Sequence, residues 1–191
     1  MIDKKRCDSN FGIKNYWTSE KLVLYHDTRW CKPEHNDNEQ FATLCLELLS
    51  SGLSWKIIIE KEDKLRNAFC NFNPDVVALY NEEKINELMS NSNIIRNIQK
   101  IKAIINNAQV FLRVQEKYGS FNRYIWNFTN NKIIDNHLTN AQDMPNKTEL
   151  SESISNNMKK QGFQFIGPTI IYSFMQGIGI VNDHCEYCSY R

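Results

Sequence analysis

The sequence predicts an all-α fold that forms a single domain over residues 1–191. Apolar side chains recur at helical spacing along most of the chain, and capping residues separate one such stretch from the next. We find no segment with the strict alternation of apolar and polar residues that is typical of a half-buried strand. The sequence also contains no internal repeat and no linker, and its length suits one domain.

Four helices are predicted in the first half of the chain. The expected helices begin at Asp37, at Trp55, at Pro74 and after Asn81. Asp37 with Gln40 resembles a capping box, Pro74 suits a first helical turn, and Asn81 is expected to cap the last of the four. The first of them has one apolar face, formed by Phe41, Leu44, Cys45, Leu48 and Leu49, and Gly52 is its natural end. The second is expected to reach about Phe69 and the last to reach Leu88.

The second half of the chain is predicted to begin with a long helix from about Arg96 to Tyr118, which ends at Gly119. Ser120 is expected to cap the next helix. A further helix is expected over Ser151 to Lys160, closed by Gly162. Gly167 and Pro168 begin a last helix through Met175, which is apolar on nearly all sides and is therefore expected to be central. Residues 129–150 are polar with weak periodicity and are predicted to form a loop.

Composition narrows the class of protein. There is no apolar run of about 18 residues and no apolar stretch behind the charged N-terminus, so neither a transmembrane helix nor a signal peptide is expected. We therefore expect a cytoplasmic protein with six reduced cysteines. A net charge of +1 does not decide for or against nucleic acid, since a DNA-binding protein of this charge needs a local basic patch.

Cysteine and histidine residues at the two ends of the chain predict a metal site. His184 and Cys188 have the i, i+4 spacing that places two ligands on one helix face, and Cys7 with His26 can supply a second pair. Thiolate and imidazole suit tetrahedral zinc, which would join the two termini. Cys185 is an alternative to Cys188, and the simpler alternative is a set of ordinary buried cysteines with unrelated histidines.

Glu47 is the acidic residue that most suggests a binding pocket. It lies at the edge of the apolar face of its helix, and no basic residue is near it in the sequence. Its carboxyl is either solvated at the rim of the core or directed into a pocket with a ligand. Trp55 is either a core residue or an aromatic platform over the same pocket, and Tyr25 brings a phenol close to the predicted metal site.

The stretch from Ser90 to Arg96 separates two predicted helices and is short enough to form a tight helical hairpin. Backbone amides at the start of a helix have no intrahelical partner and can bind a phosphate. Most short turns between helices bind nothing, so the stretch alone does not predict a ligand.

A Cys–His hydrolase is a further alternative, which would need Cys31 or Cys70 beside a histidine, whereas Cys45 is expected to be structural.

The chain resembles the 3-methyladenine DNA glycosylase I family over nearly its whole length. The matching segments are RC at Arg6–Cys7, LYHDTRW at Leu24–Trp30, LCLELLSSGLSW at Leu44–Trp55, IIRNIQKIKAIINNA at Ile94–Ala108 and KKQGFQFIGPTIIYSFMQGIGIVNDH at Lys159–His184. The resemblance implies a helix-hairpin-helix glycosylase that hydrolyses the N-glycosidic bond of 3-methyladenine in double-stranded DNA without a lyase step. It implies a monomer that releases free 3-methyladenine and does not act at a membrane.

The resemblance also implies roles for particular residues. The structural zinc of the family would be bound by Cys7, His26, His184 and Cys188. The base pocket would consist of Glu47 and Tyr25, which hydrogen-bond the alkylated adenine, and Trp55, which stacks on it. The hairpin from Ser92 to Arg96, including Asn93 and Ile94, would hold the DNA backbone, and Lys100 is expected to contact phosphate nearby. The catalytic aspartate of the wider superfamily is missing.

The sequence departs from the family pattern at several positions. Ser9 replaces a tryptophan, and Phe11, Tyr16 or Trp17 is expected to take its stacking place. Other departures are Leu22 for tyrosine, Asn93 for the hairpin glycine, Ile98 for arginine and Arg29-Trp30-Cys31 for Glu-Trp-Gly. Asparagine tolerates left-handed backbone better than most residues, so the hairpin is expected to form.

Two other classes of function are compatible with these residues. A DNA-damage binding module would keep the pocket without releasing the base. A zinc-dependent hydrolase would keep an open coordination position on its metal.

Overall fold

The computed structural model describes residues 5–8 and 16–191. Helices dominate this part of the chain, and their bounds are α1 (Glu20–Thr28), α2 (Asp37–Ser50), α3 (Trp55–Ala68), α4 (Pro74–Val77), α5 (Glu82–Ser90), α6 (Ile98–Tyr118), α7 (Phe121–Trp126), α8 (Glu149–Gln161) and α9 (Pro168–Gly177). Three short 3₁₀ turns cover Cys70–Phe72, Asn127–Thr129 and Ala141–Asp143. Two strands, β1 (Ile134–Asp135) and β2 (Val181–Asn182), form one parallel pair.

Capping residues fix the helix starts close to the predicted positions. Asn36 caps α2 through its side-chain oxygen, directly before the predicted start at Asp37. Asn97 caps α6 in the same way, one residue after the predicted start at about Arg96. Thr148 and Ser151 form a reciprocal capping box at α8, which therefore begins two residues earlier than predicted. Gly119 ends α6 with a φ of 85°, a left-handed conformation that glycine adopts without steric cost.

The structure contains two elements that the sequence did not predict, and it corrects one prediction. Helix α1 was not predicted, because its run Leu22-Val23-Leu24 has no clear apolar face. The β1–β2 pair was also not predicted, because two residues are too few to show alternation. His184 and Cys188 do not share a helix, since the chain after β2 continues in turns. In one of these turns the Cys188 amide donates to the Cys185 carbonyl at 2.8 Å.

The core lies around α2, which packs against α3, α6, α7 and α9. As predicted, α9 lies in the core, with five of its ten residues buried. Helix α6 buries one face, ten of its 21 residues, and both helices supply much of the main apolar cluster. A second, smaller apolar cluster lies beside it and contains Cys7, Tyr25, Trp30 and Cys188. Trp55 packs against both clusters, so it lies where the main core meets the part of the fold built from the two ends of the chain.

Within the described residues, no helix is long and apolar enough to cross a membrane.

Candidate functional site: a Cys/His cluster beside a buried carboxyl

The structure brings Cys7, His26, His184 and Cys188 together in a buried group, which we call the Cys/His cluster. One ligand atom from each residue lies within 4.8 Å of the other three. Cys188 Sγ lies 3.3 Å from His184 Nδ1 and 3.7 Å from His26 Nε2, and Cys7 Sγ lies 3.6 Å from His184 Nδ1. Zinc bonds of about 2.0–2.3 Å in a tetrahedron separate the donors by about 3.3–3.8 Å, so this group can hold a metal ion.

The outer nitrogen of each imidazole has its own hydrogen-bond partner. His26 Nδ1 lies 2.8 Å from Asp27 Oδ1, and His184 Nε2 lies 3.1 Å from the Trp30 carbonyl oxygen. Both partners are acceptors, so they favour the tautomers that leave His26 Nε2 and His184 Nδ1 free to ligate. A hydrogen bond with Cys7 is the main cause that lowers the pKa of Cys188, and this favours the thiolate that a metal requires.

Cys185 is buried beside the cluster but takes a different part in it. Its backbone N–H donates to Cys7 Sγ at 3.2 Å. The four-residue group contains Cys188 and does not contain Cys185.

Of the three aromatic residues expected to replace the tryptophan missing at Ser9, the structure describes Tyr16 and Trp17. Ser9 and Phe11 lie outside the described residues. Trp17 donates its indole N–H to the Cys7 carbonyl at 2.8 Å, and its ring lies 4.6 Å from that of His26. Tyr16 packs edge-on against Trp17. Trp17 therefore covers the Cys/His cluster, and among the described ring pairs it does not stack on Trp55.

Glu47 is buried in the core-facing part of α2, with 5% of its surface exposed. No ion pair to Glu47 occurs in the part of the chain that the structure describes. Burial raises the pKa of Glu47 to about 8, against a smaller opposing effect of the Ser50 hydroxyl. Of the two alternatives for Glu47, a solvated rim carboxylate is therefore wrong, and the carboxyl lies inside the protein.

Tyr25 and Trp55 meet beside this carboxyl. Their ring centroids are 5.3 Å apart, and both burial and the Glu47 charge raise the pKa of the Tyr25 phenol well above its ordinary value. Gly177 faces the same place: a Cβ there would lie 3.8 Å from the Tyr25 hydroxyl and 3.9 Å from Glu47 Oε1. We call the site formed by Glu47, Tyr25, Trp55 and Gly177 the Glu47 pocket.

One polar atom of the Glu47 pocket has no protein partner. Trp55 Nε1 is buried and finds no hydrogen-bond acceptor among the described residues. A buried N–H without an acceptor costs free energy, so this donor fits a site that is completed by a ligand or by water.

Sequence reasoning did not find Gly177, nor the ion pairs behind Tyr25. The Arg29 guanidinium lies 5.3 Å from the centre of the Tyr25 ring and donates to Glu62 at 2.8 Å. Glu62 also accepts from Arg66, four residues later on α3. This network links α1 to α3 and so fixes Tyr25 against Trp55, although nothing in the local sequence pairs these charges.

The segment 91–97 between α5 and α6, which we call the α5–α6 connection, has the length of the predicted hairpin. Ser92, Asn93 and Arg96 are exposed, whereas the side chain of Ile94 is buried in the main core and only its backbone can meet a ligand. Asn93 does not take a left-handed conformation, so the glycine of the family pattern is not required there. The Lys61 ammonium donates to the Asn93 carbonyl at 2.9 Å.

The prediction that Lys100 contacts phosphate does not fit the structure. Lys100 is buried, and its ammonium donates to the carbonyl oxygens of Leu49 and Ser51. An ammonium bonded to two backbone carbonyls inside the protein is not available to DNA.

The other departures from the family pattern are accommodated. Leu22 is fully buried in the second apolar cluster, and Ile98 is exposed at the start of α6. Cys31 replaces a glycine and adopts a φ of 58°. Two hydrogen bonds hold it there: its amide donates to the Gln176 carbonyl at 2.8 Å, and its Sγ accepts from the Asp183 amide at 3.3 Å. Cys31 and Cys70 are not part of the Cys/His cluster.

Known proteins match this chain along almost all of its length. The profile of the methyladenine glycosylase family matches residues 16–191. A DNA-3-methyladenine glycosylase of Haemophilus influenzae is 38% identical over 90% of this chain and 94% of its own, and DNA-3-methyladenine glycosylase 1 of Escherichia coli is 37% identical over 90% and 93%. A crystal structure of a variant of 3-methyladenine DNA glycosylase I in complex with 3-methyladenine has a TM-score of 0.90, 31% identity and 96% coverage of both chains.

The fold and the site thus define a helical protein with a Cys/His cluster beside a buried carboxyl. The chain belongs to the methyladenine glycosylase family, as the sequence resemblance implied.

We predict that Glu47→Gln stabilises the fold, and increasingly so as the pH rises from 5 to 8. The Glu47 pKa of about 8 in the folded protein lies above the ordinary value of 4.5, so between these values the folded state holds the extra proton and its stability falls with rising pH. Glutamine removes this loss, which amounts to about 1.4 kcal/mol for each pH unit at most. The free energy of unfolding is measured with urea across this pH range, and Glu60→Gln, at an exposed position, is the control. A difference in stability between Glu47→Gln and the wild type that does not grow with pH would contradict the prediction.

Proposed function

We propose that this protein is a DNA repair glycosylase that hydrolyses the N-glycosidic bond of 3-methyladenine in alkylated double-stranded DNA and releases the free base. We further propose that residues 1–191 form one glycosylase domain, which acts as a monomer in the bacterial cytoplasm. Family membership supports the reaction and the substrate. Six free cysteines support a reducing compartment.

The observation that carries the proposal is the buried carboxyl of Glu47, which has no ion-pair partner among the described residues and lies beside the Tyr25 and Trp55 rings. Methylation at N3 gives adenine in DNA a positive charge, and a cation is the partner that an unpaired buried carboxyl favours. A Cβ at Gly177 would lie only 2.7 Å from the Thr43 methyl carbon, so any larger residue at this position would have to displace Thr43 beside Glu47 and Tyr25. Trp55 offers an aromatic face, on which a cation gains about 0.5–2 kcal/mol.

Selectivity follows from the protonation of Glu47. With a pKa of about 8, the carboxyl is mostly protonated at neutral pH in the free pocket. A cationic base favours the ionised form, in which Glu47 accepts a hydrogen bond from the exocyclic amino group of the base. Neutral adenine cannot offset the cost of ionising a buried carboxyl, so it is bound less well.

The reaction asks little acid catalysis of the protein. The methylated base is already charged and leaves readily, so the protein has to extrude it from the stack, orient it and admit water to the sugar. Glu47 and Tyr25 hold the base edge, which makes Glu47 the residue in direct contact with the leaving group. We propose no lyase step, because the family resemblance supplies no lysine that would form a Schiff base with the sugar.

We propose that the Cys/His cluster holds one structural zinc ion. Two thiolates and two imidazoles at tetrahedral spacing support zinc in particular. Four protein ligands occupy every position of a tetrahedral ion, so the metal would stabilise the fold and would not bind substrate. Cys7 and Cys188 would then tie the two ends of the chain together, and His26 would anchor α1.

We also propose that α5, the α5–α6 connection and α6 form a helix-hairpin-helix unit that holds the DNA backbone. Ser92, Asn93 and Arg96 are exposed in the connection, and the first amides of α6 follow directly. Asn97 already accepts from the Gln99 and Lys100 amides at the start of α6, so the phosphate contact would rest on the exposed polar side chains of the connection and on its arginine. With Ile98 in place of an arginine, Arg96 carries a larger share of this contact.

The proposed reaction predicts that the purified protein releases 3-methyladenine from methylated duplex DNA and leaves an intact abasic site. Glu47→Gln keeps the shape and one acceptor oxygen but removes the charge, so its single-turnover rate of base release is expected to fall at least tenfold, or about 1.4 kcal/mol. The released base is measured by chromatography, and Glu60→Gln is the matched exposed control.

Each outcome of this experiment has a clear meaning. Release by Glu47→Gln at the wild-type rate would show that the pocket is wrongly assigned. Binding to abasic DNA without any base release by the wild type would identify a damage-binding module. Base release that stops on chelation while the fold persists would identify an open metal site.

The zinc proposal predicts about one metal ion per purified chain, as measured by elemental analysis. Cys188→Ser is expected to lose the metal and to unfold at lower temperature, because metal binding is coupled to folding. Cys185→Ser changes a neighbouring buried thiol and is expected to keep the metal. A Cys188→Ser protein that retains its metal is the result that rules out this ligand set.

The hairpin proposal predicts that Arg96→Glu weakens binding to all duplex sequences by a similar factor. The loss should shrink as salt is raised, because phosphate contacts release counterions. The control is Arg113→Glu, which reverses an equal charge at an exposed position of α6. Arg113 lies about 22 Å from the start of α6 along the helix axis. Fluorescence anisotropy at several salt concentrations tests this; altered base selectivity at unchanged affinity would argue against a backbone contact.

A further inference from the structure

Lys100 joins the start of α6 to the end of α2. It lies in the first turn of α6, yet only 6% of its surface is exposed. Its Nζ donates to the Leu49 carbonyl at 2.8 Å and to the Ser51 carbonyl at 2.6 Å. Leu49 belongs to the last turn of α2, and Ser51 is its C-cap.

The position of this ammonium is electrostatically favourable. The last carbonyls of a helix have no intrahelical donor and carry the negative end of the helix dipole. Lys100 supplies two charge-assisted hydrogen bonds and a positive charge at that end, where α2 has no basic residue of its own in its last turn. These contacts explain why a charged side chain is buried here.

The segment that Lys100 holds lies between two residues of the Glu47 pocket. Residues 51–54 follow Glu47 along the chain and lead directly to Trp55, and all four are exposed. Their own hydrogen bonds are local, such as the Leu53 amide on the Ser50 carbonyl at 2.7 Å. Among the described residues, the hydrogen bonds that reach this segment from outside α2 and α3 come from Lys100.

The other end of the Lys100 contact is the α5–α6 connection. Lys100 is three residues beyond Asn97, which closes that connection and caps α6 through the amides of Gln99 and Lys100. Lys61 of α3 binds the same connection at the Asn93 carbonyl. Lys100 thus joins the segment before Trp55 to the helix that directly follows the proposed DNA-holding segment.

We propose that Lys100 is a positioning residue: it holds residues 51–54 so that Trp55 stays over the Glu47 pocket, and it fixes this arrangement relative to the α5–α6 connection. The effect on base release rests on the proposed function, whereas the effect on residues 51–54 does not. Lys100 therefore acts on the reaction through Trp55, without touching base or phosphate.

The test compares Lys100→Met with Lys102→Met. Methionine keeps an unbranched apolar side chain and removes the ammonium, and Lys102 is an exposed lysine of the same helix whose partner is Glu82. Hydrogen exchange of the Ser51 and Leu53 amides is the first measurement, and single-turnover base release at a temperature well below unfolding is the second. In Lys100→Met we expect exchange at least fivefold faster and base release at least tenfold slower, with abasic-DNA binding nearly unchanged.

Lys102→Met is expected to match the wild type in both measurements, and Lys100→Arg, which keeps a cation with several donors, is expected to lie between the wild type and Lys100→Met. Unchanged exchange in Lys100→Met overturns the proposal, and so does faster exchange with base release at the wild-type rate. If Lys100→Met does not fold, Lys100→Gln replaces it and is judged by the same two measurements. A wild type that releases no base would refute the proposed function, while the exchange comparison would still judge the Lys100 contact.

Discussion

The meeting of the two chain ends at the Cys/His cluster is the constraint on which the base site depends. His26 contributes to the cluster from α1, and Tyr25 precedes it on the same helix. Consecutive helical residues point about 100° apart, so an α1 that presents His26 to the cluster presents Tyr25 to the neighbouring Glu47 pocket. Asp27 extends this arrangement, since it accepts from His26 and from Arg6 near the N-terminus. A helix with little apolar face of its own is thereby held in one orientation.

The Glu47 pocket breaks an ordinary rule of protein stability, because it buries a carboxyl without a cation. Groups that break such rules are expected at functional sites, where the free-energy cost is offset elsewhere in the fold. The large apolar surface of α2 provides that offset here, since the helix packs on four others. The raised pKa of Glu47 and the unsatisfied indole N–H of Trp55 are two signs of the same unfinished site.

Local patterns in the sequence predicted most of the fold, and long-range contacts explain what they did not predict. The starts of α2, α4 and α7 follow from capping chemistry that acts over a few residues. Helix α1 depends on contacts with the chain ends and with α3, which no local period reveals. The i, i+4 spacing of His184 and Cys188 suggested a helix, although turns bring the same two side chains together.

For the site, residue types predicted the four members of the Cys/His cluster, while the family resemblance singled out Tyr25, Glu47 and Trp55. The sequence could not show that Glu47 is buried, because a carboxylate at the edge of an apolar face is equally compatible with solvent. Nor could it show that Lys100 points inward, since its partners are backbone carbonyls with no sequence signature.

The location of the bound base is the most direct test of this account. A crystal structure of the protein soaked with 3-methyladenine would locate it without reference to rate or mutation. We expect the base to lie against the Trp55 ring, with its edge within hydrogen-bond distance of the Glu47 carboxyl and the Tyr25 hydroxyl, next to Gly177. A base bound elsewhere, with the Glu47 pocket unchanged, would contradict it.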